Sequence, residues 1–379
     1  MTAALSRIVV VGGGIAGLTA CDTLRAEGFD GEITLVGAEQ HAAYSRPALS
    51  KALLSSGAAA GAHELPPSDH GAVELRGVAA AGLDLDRRRV QLGGGEELPF
   101  DGLVIASGAR ARRPLVAVPV LALRELDDAV ALHAALADKP SVLVVGGGVL
   151  GMEIASGALS AGCDVTLVAT AAPMSRQVGD YLARMIGGAA RERGLAVIET
   201  PAATIVEHGG RAAVSLADGR LLEADLVVGA IGDEANVEWL RDADILKDGI
   251  LVADDRGRVA EGVVAAGDVA WWPGRSGIRR TPLWMSAIEQ AKTAAAALLR
   301  GDDAAPLDHQ SYFWTEQFGL AIKAVGDIPL DGPPATVEGD PEERAALLGW
   351  VHADGSRTAV AVNWRIPVPK LRRLAARAD

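Results

Sequence analysis

The chain has 379 residues, 45 of them glycine, and a formal net charge of −13. That length fits two or three domains, and that charge argues against a nucleic-acid binder, which has to neutralise phosphates. Two cysteines far apart, Cys21 and Cys163, exclude a disulfide framework and a Cys-x-x-Cys redox pair. No apolar run approaches the about 18 residues of a membrane span, and no leader segment precedes the first strand, so a cytoplasmic protein without a metal site is expected.

The first elements read as a nucleotide-binding unit. Arg7 to Val11 is a β-branched strand that enters Gly12-Gly13-Gly14-Ile15-Ala16-Gly17. An Ala/Leu-rich helix follows to about Glu27, then a strand from Glu32 to Gly37. In a G-x-G-x-x-G turn the first glycine makes the bend, the second admits a pyrophosphate, and the third lets helix and strand pack closely. The phosphates would sit on the free N–H groups of the helix start. Glu39, the nearest acid after the second strand, is the candidate for an adenosine ribose.

Further on, "FDGLVIASGARARRP" (Phe100 to Pro114) reads as a buried strand followed by basic residues. A second copy of the fingerprint then appears, with Gly146, Gly148 and Gly151 between strands at Val142 to Val145 and Val165 to Val168. Its ribose acid is missing, because Ala169 and Thr170 occupy the expected position. A 2′-phosphate wants a cation and no carboxylate there. Arg176 is placed to supply one, so NADPH competes with NADH; the other reading is a surface arginine beside a weakly held nucleotide. "ADLVVGAIGDEAN" (Ala224 to Asn236) and "GVVAAGDVA" (Gly262 to Ala270) repeat the buried-strand form. Asp268 at the end of the latter either faces the ligand crevice of a parallel sheet or caps the next helix.

These runs predict an α/β protein with two Rossmann-like dinucleotide domains, one inserted in the other, plus a small C-terminal α+β domain. The expected boundaries are 1–114 and 238–300 for the first nucleotide domain, 115–237 for the second, and 301–379 for the last. One nucleotide that stays and one that comes and goes suggest flavin with nicotinamide.

The chain resembles the FAD-dependent, NAD(P)H-using ferredoxin reductases of the putidaredoxin and rubredoxin reductase type, which lie in the pyridine nucleotide-disulfide oxidoreductase superfamily but lack its redox disulfide. The resemblance runs from Ile8 to about Lys323. It rests on the first fingerprint, "YSRPALSK" (Tyr44 to Lys51), "LVIASGARAR", the second fingerprint with its "GME", "AAGDVA", "LWMSAIEQAKTAA" and "YFWTEQFGL", in that order. It implies that Gly12, Gly14, Ala16, Gly17, Glu39, Ala106, Gly267 and Asp268 bind FAD, with Arg46 on the pyrophosphate. It places Lys51 near the flavin N5 edge with Glu153 as its partner, and Trp284 and Trp314 beside the isoalloxazine ring. Gly146, Gly148, Gly151 and Arg176 would hold NAD(P)H. Lys51, Glu153 and Trp314 are the expected catalytic residues.

The resemblance further implies a [2Fe-2S] ferredoxin as transient partner, docked through under roughly 1,200 Å², and a monomer or weak dimer. Basic residues near the C-terminus (Arg357, Arg365, Lys370, Arg372, Arg373, Arg377, against Asp354 and Asp379), or Arg110, Arg112 and Arg113, would steer an acidic carrier. Ser286 stands where the family usually has Asn, and Ala291 where it has Gly. The missing ribose acid and the altered Trp-x-Ser segment keep an alternative open: an FAD-dependent oxidase or tailoring enzyme for a small organic substrate.

Overall fold

The computed structural model describes residues 5–51, 54, 63–275 and 277–376; Arg377 and Asp379 lie outside them. The elements that carry the two nucleotide folds run in chain order. β1 is Arg7–Val11, α1 Ile15–Ala26, β2 Glu32–Gly37 and β3 Gly102–Ile105. β4 (Ser141–Val145), α2 (Val149–Ser160), β5 (Asp164–Ala169) and β6 (Leu226–Gly229) follow. Then come β7 (Val263–Ala265), α3 (Trp284–Arg300), β8 (Tyr312–Gln317), β9 (Leu320–Val325) and α4 (Val368–Ala375).

The chain divides into two compact units. The first comprises residues 1–45, 63–110 and 234–309; the second comprises 46–62, 111–233 and 310–379. In the first, a six-stranded sheet has the order Arg258–Ala260, β7, β3, β1, β2, Val73–Arg76. β1 runs parallel to β2 (Val10 opposite Leu35) and to β3 (Val10 opposite Val104), and β7 runs parallel to β3 (Val264 opposite Val104). The strands of its centre are buried on both faces, which is why they read as unbroken β-branched runs rather than alternations. α3 turns a stripe of small residues inward (Ala287, Ala291, Ala294, Ala295) and packs on α1, whose own buried face holds Ala16, Gly17 and Ala20. Ala291 is fully buried in that stripe, so the departure from glycine is a packing position.

The second unit repeats the scheme in a four-stranded parallel sheet of order Ala196–Glu199, β5, β4, β6. It also contains a five-stranded antiparallel sheet of order β8, β9, Arg357–Val362, Ala345–Val351, Thr336–Asp340. β8 and β9 are joined by a two-residue turn, Phe318-Gly319, with φ of +50° and +77°. Positive φ at both central residues is the geometry a tight hairpin needs to match strand twist. Alternation in β8 (Phe313, Thr315 and Gln317 buried) sets one of its faces inward. Among the described residues, no helix is long and apolar enough to cross a membrane.

Candidate functional site

In the first unit the glycines are there because backbone comes too close for a side chain. Gly12 has φ of +125°, and an added Cβ would lie 1.9 Å from the Ala106 carbonyl oxygen at the end of β3. A Cβ on Gly17 would lie 1.9 Å from the Gly12 oxygen, so α1 begins hard against the turn. At Gly14, by contrast, nothing stands within 4 Å of an added Cβ. Gly14 caps α1 with no side-chain hydrogen bond, and no acid occupies the first turn. The result is an open cradle of N–H groups suited to an anionic phosphate.

The carboxyl ends of β2, β3 and β7 add the remaining groups of this unit. Glu39 lies two residues past β2 and accepts a hydrogen bond from the Tyr44 hydroxyl at 2.5 Å. Past β7, Gly267 has φ of +79°, its N–H donates to Gln290 Oε1 at 3.0 Å, and Asp268 follows. Gln290 is a buried anchor that sequence reasoning missed. Trp284 opens α3, and buried Ser286 two residues on lies 3.3 Å from His309 Nε2. Ser286 is thus a packed residue with an internal partner. Arg110 is taken up by Glu234 (2.9 Å) and Glu238 (2.5 Å).

The second unit has its own cradle. Gly146 has φ of +122° and a Cβ there would lie 2.1 Å from the Ala230 oxygen; on Gly151 it would lie 1.9 Å from the Gly146 oxygen. At Gly148 an added Cβ meets only Gln177 Nε2, 3.5 Å away. The loop after β5 is tied back to this turn by Met174 N–H donating to the Gly147 oxygen at 2.8 Å. Thr170 and Arg176 are both exposed on that loop. Glu199, also exposed, ends the strand beside β5, where its backbone pairs with Ala169. It was not singled out from the sequence, because only strand order brings it beside β5.

α2 carries the charged centre of this unit. Glu153 is buried at 3 % exposure and pairs with Lys51 Nζ at 2.9 Å. Lys51 follows the short helical turn Arg46–Ala48, in which Arg46 Nη1 donates to the Arg124 oxygen at 2.8 Å. Glu153 also accepts from the Ser50 hydroxyl and from Thr315 Oγ1 at 2.6 Å. Lys51 Nζ lies 5.9 Å from the Trp314 ring centroid, and Trp314 stacks on Tyr312 at 5.6 Å and 23°. A buried ion pair is tolerated only where added hydrogen bonds satisfy its remaining lone pairs, and Ser50 and Thr315 supply them. Lys51, Glu153 and Trp314 are therefore brought together, 263 residues of chain apart at the extremes (51 to 314).

Both cysteines are unsuited to a thiol relay. Burial pushes the Cys21 thiol up to about 12, and nearby Asp22 adds to it. Burial raises Cys163 as well, and its Sγ faces the Leu136 oxygen at 3.8 Å.

This combination defines a two-nucleotide flavoprotein scaffold, and the chain belongs to the pyridine nucleotide-disulphide oxidoreductase family, which matches residues 6–297. More particularly, it is 35% identical over 332 residues to the ferredoxin–NAD(+) reductase component of the p-cumate 2,3-dioxygenase system of Pseudomonas putida, covering 85% of this chain and 82% of that one. It is 36% identical over 386 residues to the corresponding component of the biphenyl dioxygenase system of Paraburkholderia xenovorans, covering 95% and 90%. The covalent putidaredoxin reductase–putidaredoxin complex superposes with a TM-score of 0.85 at 29% identity, covering 97% of this chain and 92% of that one.

Proposed function

We propose that the protein is an FAD-dependent reductase that takes electrons from NAD(P)H and passes them to a small iron–sulfur carrier of the ferredoxin type. The observation that carries this reading is the buried Lys51–Glu153 pair, present with two complete glycine cradles and no competent thiol. FAD held by the residues below would supply a two-electron acceptor for nicotinamide hydride and a one-electron donor to the carrier.

The chain's own residues supply position and charge. The Gly12–Gly17 turn and the start of α1 are assigned to the FAD pyrophosphate, with Ala16 and Ala106 beside it and Arg46 as its cation. Glu39, held by Tyr44, is assigned to the adenosine ribose, and Asp268 to the ribityl chain. Lys51 is assigned to the flavin N5 edge, where a fixed positive charge favours the reduced, more anionic form. Trp284 and Trp314 shield the ring. Gly146, Gly148 and Gly151 are assigned to the nicotinamide nucleotide's pyrophosphate, and exposed Arg176 to its ribose end. Residues 1–114 with 238–300, and 115–237, would then be the FAD and NAD(P) domains.

The relatives are named for NAD(+), yet Thr170 leaves room for a 2′-phosphate that a carboxylate would repel. Both nicotinamides are therefore expected to serve. The oxidase alternative draws on Ser286 and Thr170; Ser286 is buried against His309 and offers no hydroxyl to a substrate.

Anaerobic stopped-flow on the FAD-loaded protein tests the reading. Rapid loss of flavin absorbance with NADH or NADPH, and turnover with a [2Fe-2S] ferredoxin, are expected. Failure of both nicotinamides to reduce the flavin would sink it.

A further inference from the structure

Glu153 and Ser156 lie three residues apart on one face of α2, and both bond to the β8–β9 hairpin. Thr315 Oγ1 donates to Glu153 Oε1 at 2.6 Å, and Phe318 N–H donates to Ser156 Oγ at 2.8 Å. Thr315 is completely buried. Its hydroxyl in turn accepts from Gln317 Nε2 at 2.9 Å, and Gln317 is itself 3 % exposed. The direction of this chain follows from proton counting. A threonine hydroxyl has one proton, and the carboxylate of Glu153 can only accept. The proton therefore goes to Glu153, and Gln317 must present its NH2 group to Thr315. Its Oε1 then finds no partner among the described residues. A buried amide left with an orphaned oxygen is a cost that natural proteins rarely carry without a use.

We infer that Thr315 and Gln317 are positioning residues for the Glu153–Lys51 pair: Gln317 aims the Thr315 hydroxyl, Thr315 pins Glu153, and Glu153 holds the Lys51 ammonium in place. Both are on β8, the strand that carries Trp314, and the hairpin tip is clamped to the helix of the second glycine cradle through Ser156. Carboxylate, lysine and tryptophan are thus fixed to one another by the same strand. Ser50 braces the other Glu153 oxygen, Oε2, which also receives Lys51. Losing Thr315 would leave Oε1 as a buried acceptor without that donor and free the carboxylate to turn away from Lys51.

The role assigned to Lys51 rests on the function proposed above; the hydrogen-bond relay does not, so the test has two readouts. In the first, Lys51 acetylation by acetic anhydride is followed by mass spectrometry on the folded holoprotein. Thr315→Val and Gln317→Met are expected to raise the Lys51 labelling rate about 3- to 10-fold relative to other lysines, and Thr315→Ser to restore the original rate. In the second, single-turnover reduction by NADH is expected to slow by about 10-fold or more in Thr315→Val, with the apparent nicotinamide Kd unchanged. Again Thr315→Ser should rescue. Unchanged labelling and unchanged reduction in both Thr315→Val and Gln317→Met would overturn the inference. Should Thr315→Val fail to fold, the Gln317→Met and Thr315→Ser results decide it. Faster labelling in a protein whose wild type is not reduced by nicotinamide would uphold the relay and reject the proposed function.

Discussion

Two glycines two residues apart make opposite demands. Gly146 sits at φ +122° against the Ala230 carbonyl, whereas Gly148 has an extended backbone and an added Cβ would make only an ordinary van der Waals contact, with Gln177 Nε2. Gly146→Ala is therefore expected to damage the fold, seen as a lower melting temperature and lost solubility. Gly148→Ala should fold as the wild type does and keep its full FAD content. Its affinity for NADH should fall by about 10-fold or more, because the added methyl would enter the space assigned to a phosphate. Equilibrium titration of the nicotinamide, alongside flavin content and thermal melting, separates the two effects. Such glycines were legible in the sequence, since no other residue meets a backbone approach of 2 Å. Lys51 and Glu153 were legible only through motif resemblance. Ser50, Thr315 and Gln317 lie inside those motifs, but their roles were not legible: hydroxyls and amides are common, and Thr315 meets Glu153 across 162 residues with no period to announce it.

The repeated units share a device beyond the glycines. Asp101, just before β3, accepts from the Ser6 hydroxyl (2.6 Å), the Ser6 and Arg7 N–H groups, and the Arg7 guanidinium at the start of β1. Asp225, just before β6, accepts from the N–H (3.0 Å) and hydroxyl (2.7 Å) of Ser141 at the start of β4. Each latch ties the amino ends of neighbouring parallel strands, opposite the edge where the ligands are assigned. The Ser6 hydroxyl, then Arg7, holds the Asp101 carboxyl well below the usual carboxylate range. Its stabilisation is therefore full above the ordinary Asp value of about 3.9 and fades as pH falls through the lowered one. Asp101→Asn is expected to lower the melting temperature by about 2–4 °C at pH 7, the equivalent of about 1 kcal/mol for a partly screened group. That gap should close in melts run progressively below about pH 4. The strands and helices of both latched sheets were readable from burial-driven runs of Val, Ile and Leu. The latches were not, because a Ser and an Asp some 90 residues apart carry no local pattern.

At the scale of the whole molecule, an acidic protein with a net charge of −13 has to receive a carrier that is expected to be acidic too. Arg110 and Arg113 are committed to carboxylates, the latter to Asp128 at 2.9 Å. The C-terminal helix α4 instead presents exposed Lys370 and Arg373. It packs on β9 and Arg357–Val362, in the same sheet as the Trp314 strand. Lys370→Glu with Arg373→Glu is expected to slow ferredoxin reduction by about 10-fold at low ionic strength, with the deficit shrinking as salt screens the encounter. Flavin reduction by NADH should be unaffected, and steady-state and single-turnover rates measured on one preparation distinguish the two half-reactions.

The family match stops at residue 297, yet one oxygen of Glu153 draws its proton donor from position 315. A chimaera that joins the matched stretch to a foreign tail therefore inherits a buried anion whose coordination is decided by the donor of the graft. Swapping tails between such reductases to change their electron acceptor would, for that reason, also retune the half-reaction that the swap was meant to leave alone.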